Sequence, residues 1–181
     1  VGGGAAGFDF TKLDANGNDL PESATNWSCV RDNHTGLIWE VKTDDDGLHD
    51  KDSTYSWYNP DSDTNGGDAG VQDDGSCVGG DCDTIGFAQA VNTQGLCGAN
   101  DWRLPGISEL LSIVNYGRSD PAIDIEYFPN TAVRNFSIYW TASTTARDSG
   151  DALAVNFERG SGSSPSKSFI PRPVRLVRGG K

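Results

Sequence analysis

A stretch of forty residues in the middle of the chain constrains the fold more than any other feature. Residues 44–83 contain 12 of the 21 aspartates and show no sustained apolar periodicity, apart from Tyr55 and Trp57, which alternate within TYSWY. Irregular segments of this length are uncommon in compact domains unless they are functional, held by ligands or disordered. The regular elements of the fold must therefore come from the sequence on either side.

A β-hairpin is predicted directly before this stretch. Val30 precedes a polar turn that ends at Gly36, and strict alternation of residues follows the turn. The alternating positions are Leu37, Trp39 and Val41 on one side and Ile38, Glu40 and Lys42 on the other. Because alternation of this kind buries one face of a strand, we expect a hairpin with one side in the core.

Two helices and then several short strands are predicted after the stretch. Asp83 has the residue type of an N-cap, and Gly95 that of a left-handed C-terminal residue. A second helix is predicted over 107–117, where an apolar stripe ends at Gly117. Short strands separated by Gly and Ser follow Pro129. This order predicts an α+β fold, in which two helices pack on a small antiparallel sheet.

Length and composition favour a single domain. A chain of 181 residues with 35% hydrophobic residues has the size of one compact core. Residues 1–7 and 179–181 are rich in glycine and are predicted to be linkers, so we expect a ligand-binding domain from a larger surface protein. No apolar run reaches the roughly 20 residues that cross a bilayer, and membrane insertion is not expected.

The net charge of −12 limits the choice of partners. Nucleic acids and other polyanions are bound through Lys and Arg, which neutralise their phosphate or sulfate groups. We therefore expect no nucleic-acid partner and favour a cationic one. Neither an enzyme motif of the G-x-S-x-G type nor one of the H-E-x-x-H type occurs, which argues against hydrolytic catalysis.

Four cysteines allow three pairings. Because none of them forms a CxxC and neither histidine has zinc-ligand spacing, we expect disulfides made in an oxidising compartment. Cys77 and Cys82 could close a short loop, and Cys29 with Cys97 would then tie the N-terminal strand to the middle of the fold. This is the pairing that we predict.

Five motifs carry a resemblance to a known family. In chain order they are WSCVRDNHTGLIWEVKT, GLCGANDWRLPGISELLSIVNYG, PAIDIEYFPNT, YWTAST and VRLVRGG. They resemble the domain family named after the C-terminal domain of the Legionella collagen-like adhesin, over roughly residues 8–180. The resemblance implies an extracellular bacterial module with a C-type-lectin-like fold. In its acidic loop the chain looks most like the calcium-dependent peptide-binding domains of bacterial RTX adhesins.

Calcium is the predicted cofactor, because loops rich in Asp, Asn and Gly supply the oxygen ligands that it prefers. Asp61, Asp63, Asn65 and Gly66 match the opening D-x-D-x-N-G of an EF-hand loop, but the closing Glu of that loop would fall at Gln72. The residues that could complete the site are Asp68, Asp73 and Asp74. The alternative is an acidic loop that is merely solvated.

Two further stretches are candidate calcium loops. In TDDDGLHDKD, residues 43–52, four carboxylates could converge around Gly47. They are Asp44, Asp46, Asp50 and Asp52. The weaker candidate is LDANGND, where Asp14, Asn16 and Asn18 alternate; alone, this pattern is more often an ordinary turn.

Aromatic residues beside the acidic stretches are predicted to contact a ligand, because aromatic side chains commonly anchor binding surfaces. The predicted ligand-binding residues are Trp57, Tyr58, Arg103 and Tyr139. The alternatives are that the tryptophans belong to the core, which we favour for Trp39, Trp102 and Trp140. Arg103 could receive a ligand carboxylate, but an ion pair with Glu109 is the more expected role.

Taken together, these features predict a monomeric, calcium-dependent module of a bacterial adhesin at the cell surface, which recognises a peptide segment on another cell. A lectin that binds glycans is the alternative, although the lectin signatures EPN, QPD and WND are absent. A relative of the formylglycine-generating oxidases is a more distant alternative, and it would need a reactive cysteine pair.

Overall fold

The computed structural model of the chain describes residues 2–133 and 137–180, which form an α+β fold. The described residues contain two α-helices, one short 3-10 helix and two antiparallel sheets. The sequence predicted the two helices and the fold class. It predicted a single small sheet, and that expectation was wrong because the strands are divided between two sheets.

The first sheet has the strand order β1-β2-β3-β7. Its strands are β1 (Phe10–Leu13), β2 (Cys29–Asp32), β3 (Leu37–Glu40) and β7 (Val177–Gly179). The predicted hairpin is confirmed as the β2–β3 pair, in which Val30 lies opposite Trp39. Strand β1 was not predicted, because four residues between Gly-rich and Asn-rich sequence carry little alternation.

The second sheet has the order β4-β5-β6 and consists of consecutive antiparallel strands. Its strands are β4 (Ile138–Thr144), β5 (Ala152–Asn156) and β6 (Ser161–Ser163). The outer edge of β4 is covered, since the N–H of Trp140 donates to Pro173 and that of Ala142 to Pro105. The acidic segment 44–83 lies between the two sheets in sequence and contains no strand or helix among its residues before α1.

Helix α1 (Thr84–Gln94) begins and ends where the sequence predicted. The carboxylate of Asp83 accepts the N–H groups of Ile85 and Gly86, which satisfies free donors of the first turn. Gly95 follows the helix with a φ of 76° in the left-handed region, and its N–H donates to Val91. The 3-10 helix (Leu96–Gly98) then leads away from it.

Helix α2 (Ile107–Leu111) is shorter than the predicted 107–117. The hydroxyl of Ser112 donates to the carbonyl of Glu109, and the N–H of Asn115 donates to Ala122 instead of continuing the helix. Ile113 and Val114 are nevertheless buried in the turns that follow. The apolar stripe therefore predicted burial correctly and the length of the helix incorrectly.

Two clusters of buried side chains form the core. The first joins the β1-β2-β3-β7 sheet to α2 and includes Trp39, Leu110, Tyr139 and Phe157. The second surrounds α1 and includes Tyr55, Trp57, Phe87, Trp102 and Trp140. Trp39, Trp102 and Trp140 are thus core residues, as favoured from the sequence.

Both predicted disulfides are formed. Cys29 on β2 is bonded to Cys97 in the 3-10 helix, and Cys77 is bonded to Cys82 within the acidic segment. The first crosslink lies in the second core cluster and joins the β1-β2-β3-β7 sheet to the end of α1. All four cysteines are therefore paired.

The terminal segments predicted to be linkers are in part attached to the first sheet. Gly3 exchanges two main-chain hydrogen bonds with Phe10, and the N–H of Ala5 donates to Asp124. Gly179 is the last residue of β7. Gly3, Ala5 and Gly179 are therefore attached to the domain, while Val1 and Lys181 lie outside the described residues.

A buried ion pair departs from the expected pattern of the hairpin. Glu40 and Lys42 were placed on the polar side, yet both are buried, with Lys42 Nζ 3.0 Å from Glu40 Oε1. His49 Nδ1 lies 2.9 Å from the same oxygen, and its Nε2 lies 2.6 Å from Gln94 Oε1. The N–H of Leu176 donates to Glu40 Oε2. This network links the hairpin, the 43–52 loop, α1 and the approach to β7.

The charges and hydrogen bonds of this network shift the pKa values of Glu40 and His49. Burial works to raise the pKa of Glu40, but the Lys42 ammonium and the hydrogen bond from His49 outweigh it and lower the pKa to about 2. Burial works to lower the pKa of His49, but the hydrogen bond and charge of Glu40 raise it above its ordinary value. The neighbouring Lys42 opposes that rise. The charged forms of Glu40 and His49 are therefore the ones that the fold stabilises.

The long disulfide should stabilise the fold more than the short one. Cys29 and Cys97 are 68 residues apart, whereas Cys77 and Cys82 are 5 apart. From loop-closure entropy we expect the Cys29→Ala/Cys97→Ala variant to lose about 4 kcal/mol of unfolding free energy and the Cys77→Ala/Cys82→Ala variant about 2 kcal/mol. Urea denaturation of both double variants measures this. Equal losses would contradict the assignment of the long crosslink as the structural one.

The His49 contacts predict a specific pH dependence. A raised pKa in the folded state means that the stabilisation is complete below the unfolded pKa of about 6.5 and is lost as the pH rises through the folded value. The unfolding free energy of the native chain should therefore fall as the pH rises above about 6.5 and through the raised folded pKa of His49. In a His49→Gln variant, which keeps hydrogen-bonding capacity without the charge, that decline should be smaller. Identical pH profiles in urea denaturation would contradict the contribution of His49.

Candidate functional site

A groove of about 600 Å³ lies beside α1. One wall is α1, and the opposite wall is the segment that enters α2. Residues 57–59 and Thr64 of the acidic segment line one end. Its apolar surface is formed by Trp57, Ile85, Ala88, Trp102 and Leu104. We call this cavity the groove.

Hydrogen bonds fix the wall of the groove that precedes α2. The side chain of Asn92 on α1 bonds to both main-chain groups of Trp102, accepting the N–H at 2.7 Å and donating to the carbonyl at 2.9 Å. The indole Nε1 of Trp102 donates to the carbonyl of Leu96 at 2.9 Å. Because these polar groups are already paired, Trp102 presents only apolar surface to the groove.

The end of the groove at the acidic segment is also fixed. The hydroxyl of Thr84 accepts the N–H of Tyr58 at 3.0 Å and donates to its carbonyl at 2.8 Å. Trp57 is 1% exposed, and its Nε1 donates to the carbonyl of Thr141 at 2.9 Å. Trp57 is thus a core residue at the base of the groove, whereas the half-buried Tyr58 can contact a ligand at its rim.

Arg103 forms the ion pair that the sequence favoured. Its guanidinium donates two hydrogen bonds to the Glu109 carboxylate, at 2.6 and 2.8 Å, and this contact lowers the pKa of Glu109. The same carboxylate accepts the N–H of Gly106 at 2.7 Å. Arg103 therefore stabilises the wall of the groove through Glu109, whose carboxylate neutralises its charge.

The prediction that Tyr139 contacts a ligand is wrong. Tyr139 is fully buried on β4, and its hydroxyl accepts the N–H of Ala132 at 2.7 Å. Burial raises the pKa of this phenol to about 12. Sequence position misled the prediction, because Tyr139 lies on the side of β4 that packs into the first core cluster, where its ring contacts Phe157.

The 61–75 loop uses its predicted calcium ligands to hold its own backbone. Asp61 accepts the N–H of Asp63 at 3.0 Å and the hydroxyl of Thr64 at 2.9 Å. Asn65 is buried, and its side-chain oxygen accepts the N–H of Gly67 at 2.8 Å. These short-range bonds are typical of Asx turns. They fix the backbone at the opening of the loop.

Aspartates in the rest of the 61–75 loop also accept main-chain N–H groups. Asp68 accepts the N–H of Gly70 at 2.8 Å, and Asp73 accepts the N–H of Cys82 at 2.7 Å. Gly70 has a φ of +76° and lies so close to the carbonyl of Trp57 that no Cβ would fit. The loop is thus folded tightly against the end of the groove.

The 43–52 loop is arranged around one buried carboxylate. Asp50 is 5% exposed and accepts the N–H groups of Asp45, Asp46 and Asp52 at 2.8 to 2.9 Å. Burial works to raise the pKa of Asp50, but these three donors lower it. Lys51 Nζ lies 2.7 Å from Asp44.

A small depression gathers three of the predicted ligands in this loop. Asp46, Asp50 and Asp52 line it together with Ser53 and Ser76, and its volume is about 180 Å³. Its donors are therefore all oxygen atoms, which suits calcium. The third candidate stretch forms an ordinary turn, in which Asp14 accepts two main-chain N–H groups, at 2.8 and 2.9 Å.

No group of three or more His, Cys, Asp or Glu side chains among residues 2–133 and 137–180 is arranged to hold a metal ion. The predicted ligands of the 61–75 loop and those of the 43–52 loop lie in separate loops and do not form one site.

The sequence did not single out Ile85, Ala88 or Leu104 as groove residues, because their apolar spacing on and near a helix is equally typical of core positions. The sequence also gave no indication that Lys167 is buried. A single lysine in a Ser-rich segment carries no signal of burial.

The fold and the groove define a disulfide-bonded α+β domain with an open ligand-sized cavity. The family model of the Lcl C-terminal domain matches residues 28–178, and the chain belongs to this family. Membership suggests an adhesin-like protein that is secreted or lies at a surface, and the two disulfides are compatible with that location. No curated protein matches the chain, and no solved structure matches it.

Among the described helices, none has the length and apolar character that a membrane span requires.

Proposed function

We propose that the chain is a non-enzymatic binding module of a bacterial cell-surface adhesin and that the groove holds a peptide segment of a protein on another cell. The observation that carries this proposal is the groove itself, an open cavity with an apolar surface and hydrogen-bonded walls. Preformed apolar cavities with a few polar groups at the edge are typical ligand sites. Membership of the Lcl C-terminal domain family supports the adhesin role.

The chemistry of the groove favours a peptide with an apolar anchor residue and basic neighbours. Ile85 and Leu104 are half-buried on facing walls and can contact an apolar side chain between them. The chain carries a net charge of −12, and Asp61 and Asp63 are exposed in the loop that closes one end. Charge complementarity therefore favours Lys or Arg beside the anchor.

Three further parts of the proposal rest on the sequence motifs. They are the C-type-lectin-like fold, the likeness to the peptide-binding domains of RTX adhesins and the role in adhesion between cells. The non-enzymatic character is supported by the pairing of all four cysteines, which leaves no free thiol for oxidase chemistry. Glycan binding remains the competing outcome of the ligand screen.

We also propose that calcium binds in the depression of the 43–52 loop. Asp46, Asp50 and Asp52 with two serines offer hard oxygen donors there. These carboxylates are not arranged around one point as they stand, so binding requires the exposed Asp46 and Asp52 to turn toward the ion. Because Cys77 also lines this depression, a bound ion would join the loop to the short disulfide. Calcium would then stabilise one end of the acidic segment.

The peptide proposal predicts a clear result in a competitive screen. A random peptide library and a glycan array, both in calcium buffer, should yield peptides that contain an apolar residue flanked by Lys or Arg. Binding should weaken with salt, because the flanking contacts are between exposed charges. Hits confined to glycans would overturn the peptide assignment.

A matched pair of variants locates the binding surface. Ile85→Asp places a charge in the groove at the second position of α1, where an acid is compatible with the helix N-terminus. It should weaken binding of a selected peptide by roughly tenfold or more without lowering the melting temperature. Ile125→Asp alters an exposed isoleucine outside the groove and should leave affinity unchanged. Equal effects on affinity would exclude the groove.

Calcium binding is tested by calorimetry after removal of metal with a chelator. The native chain should release or take up heat on calcium titration, and its melting temperature should rise with calcium concentration. The Asp46→Asn/Asp52→Asn variant should lose both responses, whereas Asp61→Asn/Asp63→Asn should keep them. Absence of any response in the native chain would contradict the calcium proposal, and loss only in the second variant would move the ion to the 61–75 loop.

A further inference from the structure

Lys167 is a buried lysine whose ammonium group is surrounded by main-chain oxygens. The residue is 2% exposed, although it lies in a polar segment after β6. Its Nζ donates to the carbonyls of Asn65 and Asp68, both at 2.8 Å, and to that of Ser149 at 2.6 Å. An ammonium group has three N–H donors, so every one of them is used.

An aromatic ring completes the surroundings of this ammonium group. Lys167 Nζ lies 4.2 Å from the centroid of the Trp57 ring, within the range of a cation–π contact. Burial lowers the pKa of Lys167, whereas the charges of Asp68 and Asp151 act in the opposite direction. The group is thus held by three hydrogen bonds, one ring and two nearby carboxylates.

The three carbonyls come from two segments that are far apart in sequence. Asn65 and Asp68 belong to the 61–75 loop, and Ser149 belongs to the turn between β4 and β5. Carbonyl oxygens from irregular segments commonly converge on a calcium ion, which draws them together by its charge. In this chain the ammonium group of Lys167 supplies the positive charge toward which the three carbonyls point.

The 61–75 loop also packs closely against the second sheet beside this contact. Gly66 has a φ of +71°, and a Cβ at this position would overlap the side chain of Thr144 at the end of β4. The loop therefore approaches the second sheet as closely as main chain can. Without a donor between them, the three carbonyls would face one another with no partner, and unsatisfied buried carbonyls are costly.

We propose that the Lys167 ammonium group is the internal cation of the 61–75 loop: it fixes this loop to the β4–β5 turn in the way that a bound metal ion would, and so positions the loop at the end of the groove. Calcium is not needed for the order of this loop. The inference concerns folding of the loop and holds whether or not the groove binds a peptide.

Two lysine variants test the role of the charge. Lys167→Met keeps most of the side-chain stem and removes the ammonium group, and it should lower the melting temperature in chelator buffer by several degrees. Lys51→Met removes an ammonium group that pairs only with Asp44 and Asp52 at the surface, and its shift should stay within roughly 2 °C. Equal shifts for the two variants would overturn the proposal.

Chemical rescue tests the position of the charge. Lys167→Ala leaves space beside the three carbonyls, and propylammonium chloride should restore part of the lost melting temperature. Tetramethylammonium chloride has no N–H donor and should not restore the melting temperature of Lys167→Ala. Neither salt should raise the melting temperature of the control variant Lys51→Ala. Restoration by calcium but not by propylammonium would show that the site is a metal site and would overturn the proposal.

The native chain provides a measurement that does not depend on a variant folding. With ¹⁵N-labelled lysine in chelator buffer, the Lys167 ammonium group should give a slowly exchanging NMR signal with Overhauser contacts to the Trp57 ring. Buried, fully hydrogen-bonded ammonium protons exchange slowly, whereas exposed ones do not. Absence of a signal with these contacts would overturn the proposal.

Discussion

Buried cations, each placed over an aromatic ring, hold the irregular parts of this acidic chain. Lys12 Nζ lies 3.8 Å from the centroid of a Trp ring and donates to two main-chain carbonyls of the β1–β2 connection. Lys42 and Lys167 lie 4.7 and 4.2 Å from rings, and Arg175 lies 5.2 Å from one. Arg175 donates to the carbonyl of Glu40 at 2.6 Å. The chain has a net charge of −12 and only 14 Lys and Arg residues, yet these four cationic side chains are buried.

This arrangement explains how a forty-residue segment with so many aspartates can be part of an ordered domain. Asp61 and Asp68 accept N–H groups of their own loop and stay exposed, whereas the buried Asp50 accepts three main-chain N–H groups and is therefore compensated. The carbonyls of the segment near the second sheet converge on Lys167. The loop consequently forms a fixed end of the groove, and a ligand would meet a surface that is already ordered, which lowers the entropic cost of binding.

Local sequence patterns predicted the local structure well. The hairpin, the caps of α1, the Cys77–Cys82 disulfide and the Arg103–Glu109 pair all follow from residue types at short spacing, and Cys29–Cys97 is the pair that then remains. What the sequence did not reveal depends on tertiary neighbours. After α2 the chain turns, and the N–H of Asn115 bonds to Ala122 instead of to a preceding helical turn. The buried Glu40 is bonded to His49 and to the N–H of Leu176 just before β7. The sequence also did not reveal that Asp61, Asn65 and Asp68 would accept main-chain N–H groups of their own loop in Asx turns.

The central claim is that the 61–75 loop is ordered by the chain itself. Amide hydrogen exchange of the native chain after exhaustive chelation tests it most directly. The account predicts protection of the N–H groups of Asn65, Gly67, Gly70 and Val71, all of which are hydrogen-bonded, with no further gain when calcium is added. Exchange of these amides at the rate of an unfolded chain, with protection appearing only after calcium is added, would contradict it.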